Sequence, residues 1–404
     1  SWRTAMLKLS GRLLKTFIAL SLLSLFADIV YEGARSIGGA YLNFLAAPAI
    51  AAGILGFGEL LSYLMRLVGG VVAQKASSGR AYWALIFLGY GVNVFIPLLA
   101  LAGSWEVALA LFFLERLGKG IRAPPRDVIL AEVTEGAGRG RGFGLHELFD
   151  QVGAITGPLI ISFVILLQGY PAGYTTAFWV MWIPFILAMI MLVIAAKTYP
   201  EPKAITVMRE RKKVSAETRL SKRFWIFLAG SIMAGMGFLY WGVISYRVLD
   251  LVREGILLAE ESSLPYLAAM AVDAAIAFPI GILYDRMGLK SIMIAPISAL
   301  MITPTLFTLA GRLGIYVSAA FWGLTMGVFE TIMRAAVADL APVESRSLAY
   351  GIYYTGIGLS WAVGGTILGY LYQIGSIGWM IGFCAAAEVA ALTAFTFLPR
   401  PAKL

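Results

Sequence analysis

The chain has 404 residues, of which 60% are apolar and only 14% charged, with a formal net charge of +9. So few charges cannot cover a water-facing surface, which excludes an ordinary soluble domain and leaves an all-α polytopic membrane protein. The bases sit in a few short connections, as the positive-inside rule requires, so the charge points to the bilayer and to no nucleic-acid partner.

The amino-terminal bases Arg3, Lys8, Arg12 and Lys15 precede a long apolar run with no short h-region and no small-residue cleavage site, so the first span is expected to stay. A crossing needs about 20 apolar residues. Twelve segments qualify, at 15–43, 49–73, 81–102, 105–132, 142–168, 174–197, 223–249, 263–285, 291–311, 314–339, 347–373 and 377–398. Lys75 and Arg80, Arg139 and Arg141, Arg286 and Lys290, Arg346, and Arg400 with Lys403 alternate with loops almost free of bases. That alternation places both termini in the cytoplasm, with the chain in the cell membrane. Residues 198–222 form the one long polar stretch and read as a cytoplasmic linker between six-helix bundles at 1–197 and 223–404. Gly69–Arg80 after span two has a counterpart in Pro279–Lys290 after span eight, which suggests parallel repeats and alternating access. One cysteine, Cys384, excludes a disulfide within the chain, and no Cys/His spacing marks a structural metal site.

Charged residues inside spans are costly unless they face protein or water, so each is a candidate for function. Asp28 lies roughly 20 Å along span one, near mid-membrane, with Glu32 and Arg35 following on the same face. Glu32 with Arg35 reads as a structural ion pair or as part of the working site. Asp28, with no base one turn away on its own helix, is the better carboxyl to bind and release a proton. Its bland alternative is pairing with Arg116 or Lys119 on span four. Span two carries Glu59.

In span four, Glu115 to Asp127 reads ERLGKGIRAPPRD. Glu115, Arg116 and Lys119 fall about 14 to 20 Å down the helix, at mid-membrane; Glu115 and Lys119 are expected to neutralise each other, leaving Arg116 to face a carboxylate such as Asp28. Arg122, Arg126 and Asp127 lie nearer the cytoplasm and suit gating. Span five carries the single histidine, His146, with Glu147 and Asp150; His146 and Asp150 share a face and could relay protons or simply fix the helix. Asp273 in span eight, the i,i+4 pair Glu330 and Arg334 in span ten, and Glu388 in span twelve complete the set.

Several motifs resemble those of the major facilitator superfamily, over essentially the whole length. Gly281-x3-Asp285-Arg286-x-Gly288-x-Lys290 is similar to the superfamily's loop signature, which implies that Asp285 and Arg286 help hold one gating state. Gln74 and Lys75 stand where the first copy would carry Asp and Arg. Gly144-x8-Gly153-x3-Gly157-Pro158 resembles the antiporter signature of span five, with Ile161 where a further glycine is usual; close packing by Gly153 and Gly157 and a bend at Pro158 are its physical sense. Arg116-x2-Lys119-Gly120 resembles the motif whose buried base takes part in proton transfer, with Lys119 in place of a neutral amide. The resemblance also implies that spans seven and eleven line a cavity, so Tyr240, Trp241, Tyr353, Tyr354 and Trp361 could stack on a planar or cationic substrate.

No P-loop sequence occurs, so the transport is expected to be secondary, and no nucleophile stands recognisably paired with a base for enzyme chemistry. The reading that results is proton-coupled antiport exporting a small organic compound, by a monomer with no cofactor. Proton coupling falls to Asp28, Glu32, Arg116, His146 and Asp150. The cavity set adds Arg35, Glu59, Lys119, Glu147, Asp273 and Glu330 to the aromatic residues. Two alternatives stand: a divalent-metal exporter using Asp28, Glu32, His146, Glu147 and Asp150, and a non-transporting sensor or lipid-handling scaffold.

Overall fold

The computed structural model describes residues 11–137, 139–205, 219–342 and 345–398. Most of the expected linker, and the terminal bases Arg3, Lys8, Arg400 and Lys403, lie outside the described residues. In hydrocarbon every backbone N–H and C=O must be bonded internally, and all described elements are accordingly helical. In chain order they are α1 (Gly11–Phe44), α2 (Ala49–Ile54), α3 (Gly56–Gln74), α4 (Gly79–Gly91), α5 (Trp105–Val133), α6 (Arg139–Gln168), α7 (Ala172–Val180) and α8 (Trp182–Thr198). The second half continues with α9 (Lys222–Gly237), α10 (Trp241–Arg253), α11 (Leu264–Met287), α12 (Ile294–Leu300), α13 (Ile302–Thr308), α14 (Gly311–Glu330), α15 (Ile332–Leu340), α16 (Arg346–Gln373) and α17 (Ile377–Thr396). Short 3-10 turns join several of them.

Serine side chains start three of these helices: Ser78, Ser104 and Ser221 accept from the N–H groups of Ala81, Val107 and Phe224 at 3.2 to 3.4 Å. Nine segments among the described residues are long and apolar enough to cross a membrane. One of them, Ala259–Thr308, has 50 residues, enough for two crossings. The charge-rich α5 is not among the nine, although its 29 residues suffice in length. Pro124 and Pro125 sit inside that continuous helix.

Several spans that read as unbroken in the sequence are interrupted. Span seven stops at Gly237 and resumes at Trp241, and the indole of Trp322 donates to the Leu239 carbonyl in the gap at 2.9 Å. Span ten breaks between Glu330 and Ile332 at Thr331. In α1 the hydroxyl of Ser245 intrudes on the helical ladder: it accepts from the N–H of Ala40 at 2.9 Å and donates to the carbonyl of Ser36 at 3.3 Å.

The chain divides into two compact units, one of Ser1–Ala34 with Leu61–Val214, the other of Arg35–Leu60 with Ser215–Leu404. The first unit packs Phe17, Leu20 and Leu23 of α1 against Tyr82, Trp83 and Ile86 of α4, Ile129 and Leu130 of α5, and Leu192 of α8. Trp83 donates to the Tyr199 carbonyl at 2.9 Å, while Glu132 accepts from the Tyr199 hydroxyl and from the N–H groups of Lys203 and Ala204 at 2.7 to 2.9 Å. Burial and this carboxylate both push the Tyr199 phenol above its usual range.

In the second unit, glycines allow backbone to meet backbone: Gly39 lies on Gly242, Gly53 on Gly365, and Gly323 on Ala269. A polar knot ties the end of α1 to α10. Buried Asn43 donates to the Tyr246 carbonyl and to Asp250 at 2.9 Å and accepts from Arg253 at 2.7 Å, and Tyr372 donates to the other oxygen of Asp250. Asn43→Ala is therefore expected to cost about 1–3 kcal/mol by stranding these partners. Thermal unfolding in detergent checks it: an unchanged melting temperature would show that the knot does not hold this end of α1.

Candidate functional site

The first unit gathers charged side chains from three helices. Position Gly153 of α6 would place a Cβ 2.6 Å from the Leu25 carbonyl and 2.9 Å from the Cβ of Asp28, and Gly157 would place one 2.6 Å from the Ile29 carbonyl. These two glycines thus seat α6 directly on the stretch of α1 that carries Asp28. Pro158 follows, buried within α6, whereas Gly144 has open space around it.

Asp28 feels Asp150 and Glu32 as like charges and Lys119 and Arg122 as opposite ones. Arg116 does not face it as expected. Its guanidinium forms a fork on the neighbouring Glu115, Nε to Oε2 at 2.6 Å and Nη2 to Oε1 at 2.7 Å, and both side chains are buried. The expected Glu115–Lys119 neutralisation is replaced by this pair. Arg116 and Lys119 instead both lie over the ring of Tyr31, at 3.6 and 3.5 Å from its centroid.

Arg122 is buried, donating to the Gly89 carbonyl at 3.1 Å and to Asn93 at 2.9 Å, with its guanidinium over Tyr90 at 4.4 Å. The absence of a side chain at Gly89 makes that approach possible. Arg126 holds Asp127 at 2.7 Å and reaches Ser24 of α1 at 3.3 Å. On α6, His146 is buried with Nδ1 3.3 Å from the Ser21 hydroxyl and Nε2 3.9 Å from Asp150, too long for a direct hydrogen bond. Glu147 is exposed.

The other candidates belong to the second unit. Arg35 pairs with Glu59 at 3.9 Å and lies over Trp322 at 5.7 Å. Around Trp322 the rings of Phe238, Phe329, Trp361, Trp241 and Tyr266 contact one another with centroids 5.0 to 6.3 Å apart. Trp361 keeps a buried indole N–H that makes no hydrogen bond among the described residues. Tyr240 donates to the Leu55 carbonyl at 3.4 Å, and Trp241 to that of Ser36 at 3.4 Å. Tyr353 is 1% exposed and stacks on Phe227, so it sits in the core of the unit; Tyr354, edge-on to it, is half-buried.

Asp273 is buried against Gly327, and Glu330 and Arg334 are exposed, with Arg334 donating to the Glu330 carbonyl at 3.4 Å. Asp285 and Arg286 are exposed at the end of α11, which Gly288 terminates with a φ of 60° that a side chain would strain. Among the described residues no three of His, Cys, Asp and Glu converge as a metal-holding group.

The sequence profile of the major facilitator superfamily matches residues 17–259 and 257–404. The chain belongs to that superfamily. Proteins of this superfamily are membrane transporters, not enzymes, and this member is an all-α multi-pass membrane protein with a small-molecule cargo. It is 35% identical over 373 residues to an uncharacterized protein of Mycobacterium tuberculosis, covering 91% of this chain and 89% of the relative. An uncharacterized MFS-type transporter of Methanocaldococcus jannaschii is 27% identical over 321 residues, covering 79% of this chain and 78% of that one. Among solved structures, the nucleoside transporter NupG superposes with a TM-score of 0.76 at 14% identity, covering 95% of this chain and 99% of its own. A peptide transporter, POT, in complex with sulfate superposes with a TM-score of 0.73 at 14% identity, covering 99% and 98%. At such identities the superpositions show the superfamily fold.

Sequence reasoning missed the Asn43 knot and the rings of Phe238, Tyr266, Trp322 and Phe329. Asn43 carried a signal, since an amide in an apolar span needs partners.

Proposed function

We propose that this superfamily member is a proton-coupled antiporter that exports a small organic compound. It crosses the cell membrane twelve times as two six-helix bundles, 1–197 and 223–404, with both termini cytoplasmic, and works as a monomer. The observation that carries the reading is the seating of Asp28 against Gly153, within the influence of Lys119 and Asp150. A carboxyl between like and opposite charges changes its proton occupancy when either neighbour moves.

Glu32, His146 and Asp150 serve this carboxyl, and Arg116 fixes the local field through Glu115 and Tyr31. The substrate meets charged groups in the first unit, Lys119 and Glu147. In the second unit it meets Arg35, Glu59 and the aromatic residues Tyr240, Trp241, Tyr354 and Trp361, with Asp273, Glu330 and Tyr353 supporting them. The unsatisfied indole of Trp361 suits a planar compound bearing a hydrogen-bond acceptor. Arg122, Arg126, Asp127, Asp285 and Arg286 stabilise one of the two states, and Gly153, Gly157 and Pro158 set how α6 rides on α1. Each ligand shifts the balance by its differential affinity for the two states.

Proteoliposomes with a pH-sensitive dye inside test the coupling, once a thermal-shift screen of drugs and metabolites has supplied a transported compound. Substrate added against a proton gradient is expected to change the internal pH. Substrate movement without any such change would overturn proton coupling.

A further inference from the structure

Glu388 plays no part in the function just proposed. It lies near the middle of α17, about 17 Å from Ile377, is fully buried, and neither carboxyl oxygen makes a hydrogen bond among the described residues. Its Oε1 is 2.5 Å from where a Cβ on Gly237 would stand, so the carboxyl occupies the space left by the missing side chain at Gly237.

Gly237 is the last residue of α9, at the break in span seven. A helix ends in carbonyls that carry a partial negative charge, which repels an ionised carboxylate and favours a bound cation. No base on the neighbouring stretches of the helices packed against it compensates. Residues 224–246 of α9 and α10, 294–311 with α12 and α13, and 347–396 of α16 and α17 contain no Lys, Arg, His, Asp or other Glu. The nearest titratable side chain on α17 is the buried thiol of Cys384, one turn away and beside the Thr303 hydroxyl. Lys290, in the turn before α12, is exposed, and the remaining titratable groups of α16 are tyrosines.

We propose that Glu388 and the carbonyl end of α9 form a buried proton-binding site in the second unit, separate from Asp28. A single carboxyl with carbonyls for company suits a proton, whereas a metal ion would require several converging oxygen ligands. Because the site abuts the non-helical Phe238–Tyr240 segment, loss of that proton sets a negative charge against the carbonyl end and drives the two apart. This goes beyond the antiport reading and does not depend on it.

Dicyclohexylcarbodiimide tests the site, since it adds to protonated carboxyls in apolar surroundings and requires no substrate. Wild-type protein in lipid vesicles is treated across a pH series, with and without sodium, and the adduct is mapped by peptide mass. The expected result is an adduct at Glu388 that falls about tenfold per pH unit beyond its midpoint, is indifferent to sodium, and is missing from that peptide in Glu388→Gln. No adduct at Glu388 at any pH would overturn the proposal. So would an adduct suppressed by sodium but not by pH, which would make the site a sodium site.

Discussion

Replacing Asp28 with asparagine is expected to abolish substrate-driven proton movement while leaving the protein folded. The amide keeps the size and much of the hydrogen-bonding capacity of the carboxyl, so the packing of α6 through Gly153 persists. What disappears is the ability to exist in two charge states. With Asp150, Glu32, Lys119 and Arg122 all acting on this position, its protonation would respond to slight shifts of the surrounding helices. In proteoliposomes the variant should show no substrate-dependent pH change above protein-free vesicles, while exchange of labelled for unlabelled substrate continues. Undiminished coupled flux in Asp28→Asn would remove it from the role and pass attention to Asp150.

The second large effect concerns the fork between Glu115 and Arg116. Both side chains are almost wholly inside the protein and their closest approach is 2.5 Å. Removing only one partner leaves an uncompensated charge in a low-dielectric interior, so Glu115→Leu is expected to destabilise by about 3–5 kcal/mol. Replacing both, as Glu115→Leu with Arg116→Met, removes the desolvation cost along with the attraction. It should recover most of that loss or exceed wild type. Unfolding of the two variants in detergent decides the matter. If the double variant is as unstable as the single one, the stacking of Arg116 on Tyr31 at 3.6 Å, and not the ion pair, holds α5 to α1.

The membrane class and most helix positions were legible because the bilayer imposes a length and a composition on every crossing. The glycines of α6 were legible too: their spacing foretold close packing, and the backbone of α1 is what they meet. Pairing was harder to read. Helical spacing favours i,i+4 partners and so pointed Glu115 to Lys119, but a long arginine side chain can fold back onto the carboxylate beside it. The helix breaks in spans seven and ten were also hidden. Thr331 and the Phe238–Tyr240 segment carry no proline, and what stabilises the second of these gaps is an indole donated from a distant helix.

Since the second unit includes Arg35–Leu60, it cannot be completed as the ribosome delivers it. Roughly 150 intervening residues, 61–214, must first be made, which takes about 8–30 s at usual elongation rates. The glycines at 39 and 53 and the amide of Asn43 wait longer still, until Gly242, Gly365 and Asp250 have been made. The intruding Ser245 likewise reaches the ladder of α1 only after that helix has formed. Assembly of this end of the protein is therefore expected to follow insertion of the second half, with Ser245 joining an already continuous α1.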